Sequence, residues 1–282
     1  MAGGSRALVL AGGGVAGIAW ELGFLAGLAD AGVDVVATAD LVVGTSAGAA
    51  AGAQVTSGTP LAELEAVQLG PPEESREIHV DIDILAFREK LAALIAGAES
   101  PDDARARVGR MALEAETVPE SVRREVIAAR LPVHEWPDRP LLLTVVEAET
   151  GKWLTFSKDS GVGLVDAVAA SCAVPGVWPP VTIDGRRYVD GGVRSFTNAD
   201  VAAGYDKVLV AIPLALIDDQ RVVLDEELGR LAPAQVLVAE ADEASVAAIG
   251  TNPLDPAARG PAAKAGRAQA TAMAAGIREF WA

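Results

Sequence analysis

Apolar and polar positions along the chain follow two periods. Residues 7–11 form a short unbroken apolar run, and residues 40–44 give a second strand, apolar over 41–43, that ends at Gly44. Apolar runs of this length between turn residues read as buried strands. After the first come Gly12, Gly13 and Gly14, and then Ile18, Leu22, Leu25 and Leu28 share one helical face until Gly32. After the second, residues 47–55 read as a helix of small side chains that closes near Gly58. Strand, turn and helix repeated in this order predict a parallel sheet covered on both faces.

The pattern changes over residues 60–131, which predict charged helical segments and no good strand. One of them, 119–127, has proline at its start and an apolar stripe behind it. This insertion reads as peripheral helices, with a lid as the alternative. Sheet returns as a hairpin of 141–146 and 153–156, turning through Thr150-Gly151-Lys152. A helix over 162–173 stops at Pro175, and a second hairpin over 181–190 turns at Asp184-Gly185. Strands over 207–213 and 234–240 and a terminal helix over 262–281 complete the order. No repeat or linker interrupts it. The expectation is one domain over 1–282, a three-layer α/β/α unit with a mostly parallel central sheet.

Composition narrows the partners. The net charge of -16 would repel a nucleic-acid backbone and weaken attraction to anionic lipid surfaces, while leaving apolar or neutral lipid open. A lone cysteine, Cys172, needs no oxidising compartment. The best apolar stretch, 208–217, is too short for a membrane span. Arg6 and the apolar run after it resemble part of a signal peptide, but the glycines and Glu21 mark mature structure, so a cytoplasmic location is expected.

Gly44-Thr45-Ser46-Ala47-Gly48 fits G-x-S-x-G. At a strand-to-helix turn this spacing holds the serine in strained backbone and presents its hydroxyl near the positive end of the next helix. Ser46 is therefore the expected nucleophile. Gly12, Gly14 and Gly17 also satisfy G-x-G-x-x-G, a dinucleotide fingerprint that wants an acid ending the second strand. Asp34 has about the right spacing but begins an apolar run. An oxyanion hole, made of backbone around Gly12, Gly13, Gly14, Val15 and Gly17, fits better beside a serine turn.

The proton of Ser46 needs an acceptor. His79 and His134 are the only histidines, and both precede Val189-Asp190-Gly191-Gly192, so the late histidine of a Ser-acid-His order is missing. Asp190, at the end of a returning strand and followed by two glycines, is the expected base, whereas Asp184 is explained by its hairpin turn. Cys172 reads as core. Asn198 reads equally as a brace for the aspartate loop or as a surface turn. Trp153, Trp178 and Trp281 read as ordinary packing, with an acyl pocket as the alternative.

Taken together, Gly12-Gly13-Gly14-Val15-Ala16-Gly17, Gly44-Thr45-Ser46-Ala47-Gly48, Ala170-Ser171-Cys172-Ala173-Val174-Pro175-Gly176 and Asp190-Gly191-Gly192 resemble the patatin-like phospholipase family over residues 6–201. The resemblance implies a lipid acyl hydrolase with a Ser46–Asp190 dyad, an oxyanion hole around Gly13 and Gly14, and support from Gly44, Gly48, Gly191 and Gly192. It implies no metal and no organic cofactor, a lipid or acyl-ester substrate, transient contact with a membrane surface and no stable protein partner. Many family members carry Arg or Lys in the glycine turn where this chain has Val15-Ala16. That departure motivates the alternative of a weak or inactive lipid-binding protein on the same fold.

Overall fold

A computed structural model describes residues 4–82 and 84–282. The strands are β1 (Arg6–Leu10), β2 (Leu41–Gly44), β3 (Leu141–Glu147), β4 (Trp153–Phe156), β5 (Val181–Ile183), β6 (Arg186–Asp190), β7 (Lys207–Ile212) and β8 (Gln235–Glu240). The helices are α1 (Gly14–Asp30), α2 (Val35–Thr38), α3 (Ala47–Val55), α4 (Leu61–Leu69), α5 (Ile84–Ile95), α6 (Pro101–Glu114), α7 (Glu120–Arg130), α8 (Leu164–Ser171), α9 (Asp218–Arg230), α10 (Glu243–Ile249) and α11 (Arg259–Trp281).

All eight strands join one sheet in the order β5-β6-β3-β2-β1-β7-β8, with β4 also on β3. From β3 through β2, β1 and β7 to β8 every pairing is parallel, whereas β4, β5 and β6 are antiparallel additions. The parallel strands read as continuous apolar runs because both of their faces are covered. Leu8 and Leu10 pack with α1, α3 and α11 on one side, and Ala7 and Val9 pack with Leu224 and Leu231 on the other. The expected mostly parallel α/β arrangement is borne out, and α4 to α7 occupy the 60–131 insertion with no strand among the described residues.

Two features differ from the sequence reading. The apolar run after Asp34 is a single helical turn, α2, whose first donors are met by the Asp34 side chain accepting from Ala37 N–H at 2.8 Å. Helices α9 and α10 lack a visible apolar stripe, and the buried positions of α9 are Leu224 and Glu227 alone.

The register carries a consequence for the site. Leu143 pairs with Gly44 and with Phe156, and Val145 pairs with Asp190 and with Leu154. A strand has two edges, so β4 holds one edge of β3, and β2 and β6 share the other end to end. β6 runs antiparallel to β3 and β2 runs parallel, so the C-terminal ends of β2 and β6 point at one another. Only Thr144 separates their paired positions, a span of about 7 Å along the strand.

Candidate active site

Ser46 follows the end of β2 with φ 54° and ψ −110°, a left-handed conformation that a side chain avoids at a cost of about 1–3 kcal/mol. The turn is fastened so that it cannot relax. Thr45 N–H donates to Leu10 O at 3.1 Å, Gly48 N–H donates to Ala11 O at 3.0 Å, and Ser46 N–H donates to Ser171 Oγ at 3.0 Å. The Cys172 thiol donates to Ser46 O at 3.1 Å. A Cβ at Gly44 would meet the Gly48 carbonyl, and one at Gly48 would meet the Leu10 carbonyl. The two glycines of G-x-S-x-G thus allow β1 and α3 to close on the turn, and Ser46 caps the positive end of α3.

Asp190 ends β6 and is 4% exposed. Its Oδ1 accepts from Gly192 N–H at 2.7 Å, while Oδ2 is buried without a hydrogen bond. Burial pushes the carboxyl up to about 7, against the opposing pull of the Ser46 hydroxyl that faces it and of Gly192 N–H. Its own N–H donates to Ala173 O at 3.0 Å, so the end of α8 and the residues just after it hold both turns, Ser46 through Ser171 and Asp190 through Ala173.

Beneath lies a buried polar network. Thr45 Oγ1 and Thr144 Oγ1 are 2.8 Å apart, and Asn198 Nδ2 donates to Ser195 O at 2.7 Å and reaches Thr45 Oγ1 at 3.1 Å and Gly191 O at 3.3 Å. A Cβ on Gly191 would collide with Thr144 Oγ1. Asn198 therefore braces the aspartate loop and ties it to the serine turn. Its Oδ1 accepts from Arg194 at 2.8 Å.

In the glycine turn, Gly12 N–H is committed to Phe196 O, Ala16 N–H to Pro253 O and Gly17 N–H to Gly13 O. Among the described residues, the N–H groups of Gly13, Gly14 and Val15 have no such partner, and they stand at the positive end of α1. Gly14 and Val15 line a pocket of about 20 Å³ together with Ser46, Arg123, Arg130, Cys172, Trp178 and Leu254. Next to it, sharing Val15, Ile18 and Arg130, is a cavity of about 690 Å³ that also touches Gln68, Glu77 and Arg259. A further cavity, about 970 Å³, lies beside Asp40 and Pro140, at the opposite ends of β2 and β3 from Ser46.

The sequence model of the patatin-like phospholipase family matches residues 8–203. The chain belongs to this family. Among solved structures, VipD from Legionella pneumophila is similar at 13% identity and a TM-score of 0.50, over 97% of this chain and 67% of VipD. The type III effector protein ExoU matches at 17% identity and a TM-score of 0.40, over 96% of this chain and 53% of ExoU. The likeness to VipD is one of fold. No curated protein sequence matches the chain.

The four stretches singled out in the sequence thus converge, three at the C-terminal ends of β1, β2 and β6 and the fourth at the end of α8. Elsewhere, His79 is half exposed beside Asp81 and Asp255, and His134 Nε2 is 2.9 Å from Ala128 O, with neither histidine lining the Ser46 pocket. Of the three tryptophans, Trp178 lines that pocket. Trp153 lies under Arg194 and Trp281 donates to Thr38 Oγ1. Cys172 is buried, which pushes its thiol up to about 11 and keeps it protonated as a donor.

Two site residues were missed from the sequence, Arg123 and Arg130. A signal existed. The buried positions of α7 include Arg123, Val126 and Ile127, and Arg130 completes the i, i+3, i+4, i+7 stripe, so two arginines occupy a face meant for apolar side chains. Arg130 donates to Glu77 through Nε at 2.9 Å and Nη2 at 2.8 Å, and Arg123 stacks over Trp178 at 3.9 Å.

Proposed function

We infer that the protein is a lipid-ester hydrolase in which Ser46 is the nucleophile and Asp190 its base. The observation that carries this reading is the buried Asp190 carboxyl, with one oxygen open, facing a serine held at φ 54°. A carboxylate of ordinary pKa is a weak acceptor for an alcohol proton, and a pKa near 7 makes it a better one.

In the first step Ser46 Oγ attacks the ester carbonyl and its proton passes to Asp190. The negative charge on the carbonyl oxygen is met by the backbone N–H groups of Gly13, Gly14 and Val15, which lack other partners among the described residues. Collapse expels the alcohol, protonated by Asp190, and leaves an acyl-serine. Water then attacks the acyl carbon, giving its proton to the same aspartate, which passes it to the departing Ser46 Oγ as the fatty acid is released. The 690 Å³ cavity beyond Val15 and Ile18 provides room for the remainder of a lipid that the 20 Å³ pocket alone does not.

The absence of Arg or Lys in the glycine turn supports a second reading, a lipid-binding protein with little turnover. Reaction with a fluorophosphonate distinguishes them. The hydrolase reading expects stoichiometric labelling of one peptide, the one containing Ser46, and loss of labelling in S46A. Folded protein that remains unlabelled favours the binder.

A further inference from the structure

The pocket that holds Ser46 is lined by two arginines and by no carboxylate. Arg123 is 4% exposed, and its Nε and Nη1 are buried with no hydrogen bond. Its nearest carboxylate is Glu77, whose Oε2 is 3.5 Å from Nη1 and already accepts from Arg130 Nη2 at 2.8 Å. Two guanidinium groups therefore share one carboxylate, in a protein whose overall charge is -16. Cys172 is the other ionisable group that lines the pocket, and it stays neutral; Asp190 faces Ser46 but is not in the lining. Burial, and then the charge of Arg130, lower the Arg123 pKa to about 10, which leaves it charged. A buried cation with open donors is costly unless an anion meets it. Trp178 lies against the face of the guanidinium, while Nε and Nη1 on its edge make no hydrogen bond.

We propose that Arg123, with Arg130, forms an anion-binding subsite beside Ser46 that selects acyl esters carrying a phosphate or carboxylate group close to the scissile bond. The proposal rests on the hydrolase reading for its substrate, though not for the binding of the anion. The cation absent from the glycine turn is supplied from α7, in the inserted segment, so the insertion helps define specificity. Arg123 and Ser46 line the same 20 Å³ pocket, so a group bonded to one is presented to the other. Arg123 is a substrate-binding residue here; the proton transfers remain with Asp190.

The test compares dihexanoylglycerol phosphate with neutral dihexanoylglycerol as monomeric substrates. Wild-type protein should favour the phosphate ester by about tenfold or more in kcat/KM, the scale of a charge-assisted hydrogen bond. R123Q should bring the ratio near one, and R123K, which keeps the charge but loses the planar fork, should fall between. A ratio near one in wild type, or an unchanged ratio in R123Q, overturns the proposal. A calorimetric arm uses S46A with inorganic phosphate and with the phosphate ester. Binding of the ester that disappears in S46A/R123Q supports the subsite. Binding of inorganic phosphate alone, with no ester preference, overturns its role in substrate selection. If R123Q does not fold, competitive inhibition of neutral-ester hydrolysis by phosphate, against chloride at equal ionic strength, is expected, and its absence counts against the proposal. Anion binding by S46A without hydrolysis of either ester by wild type would remove the hydrolase reading and leave the anion site standing.

Discussion

At the scale of single residues, the site depends on side chains that never touch substrate. Ser171 accepts the Ser46 N–H and so holds the backbone of the strained turn. S171A leaves that N–H without its acceptor, which costs about 1–3 kcal/mol where water cannot replace it. The expected result is a lower melting temperature and slower fluorophosphonate labelling, both restored largely by S171T. Labelling at the wild-type rate would mean that the turn keeps its shape unaided. Ser171 is visible in the sequence only as part of a family motif, because nothing local to a helix end says which distant N–H its hydroxyl will meet. Asp190 was more legible, since a carboxylate ending a strand before two glycines has few purely structural uses. The shift of its pKa was not, because burial is a property of everything packed around it.

At the scale of elements, the two strand-turn-helix units were legible from their periods, and the serine and glycine turns were legible with them. What the pattern could not supply is the edge-sharing of β2 and β6 on β3, which brings Ser46 and Asp190 together. That arrangement depends on register, and register over so short a pairing is set by neighbours such as Thr144 and Gly191. Helix α7 was found as an amphipathic segment but read as peripheral, because arginines on a helix are ordinarily solvated. Their stripe position carried the information. The close approach of β1 to α3 gives a direct check. G48A adds a methyl group against the Leu10 carbonyl, and destabilisation of about 3 kcal/mol or more is expected in chemical denaturation. A change below about 1 kcal/mol would show that the turn has slack.

Over the whole molecule, the charge of -16 opposes a local cation cluster at the site. Among the described residues, no helix is long and apolar enough to cross a membrane. An acidic protein and an anionic lipid surface repel across about one Debye length. Hydrolysis of an ester in vesicles should slow as anionic lipid replaces zwitterionic lipid at low ionic strength, and added salt should restore it. Rates that fall with salt would point instead to an attractive basic face. Monomeric anionic esters lack that surface and are governed by the pocket, which separates the long-range repulsion from local recognition.

The pairing of Ser46 with Asp190 is the claim on which the rest depends, and the pH profile of kcat/KM on a soluble ester, in wild type and D190N, tests it most directly. Ionised Asp190 accepts the proton, so wild-type activity should rise with pH through about 7 and be lost below it. D190N should fold, lose that ionisation and fall about 100-fold or more. Wild-type turnover in folded D190N, or an unchanged profile, would contradict the account.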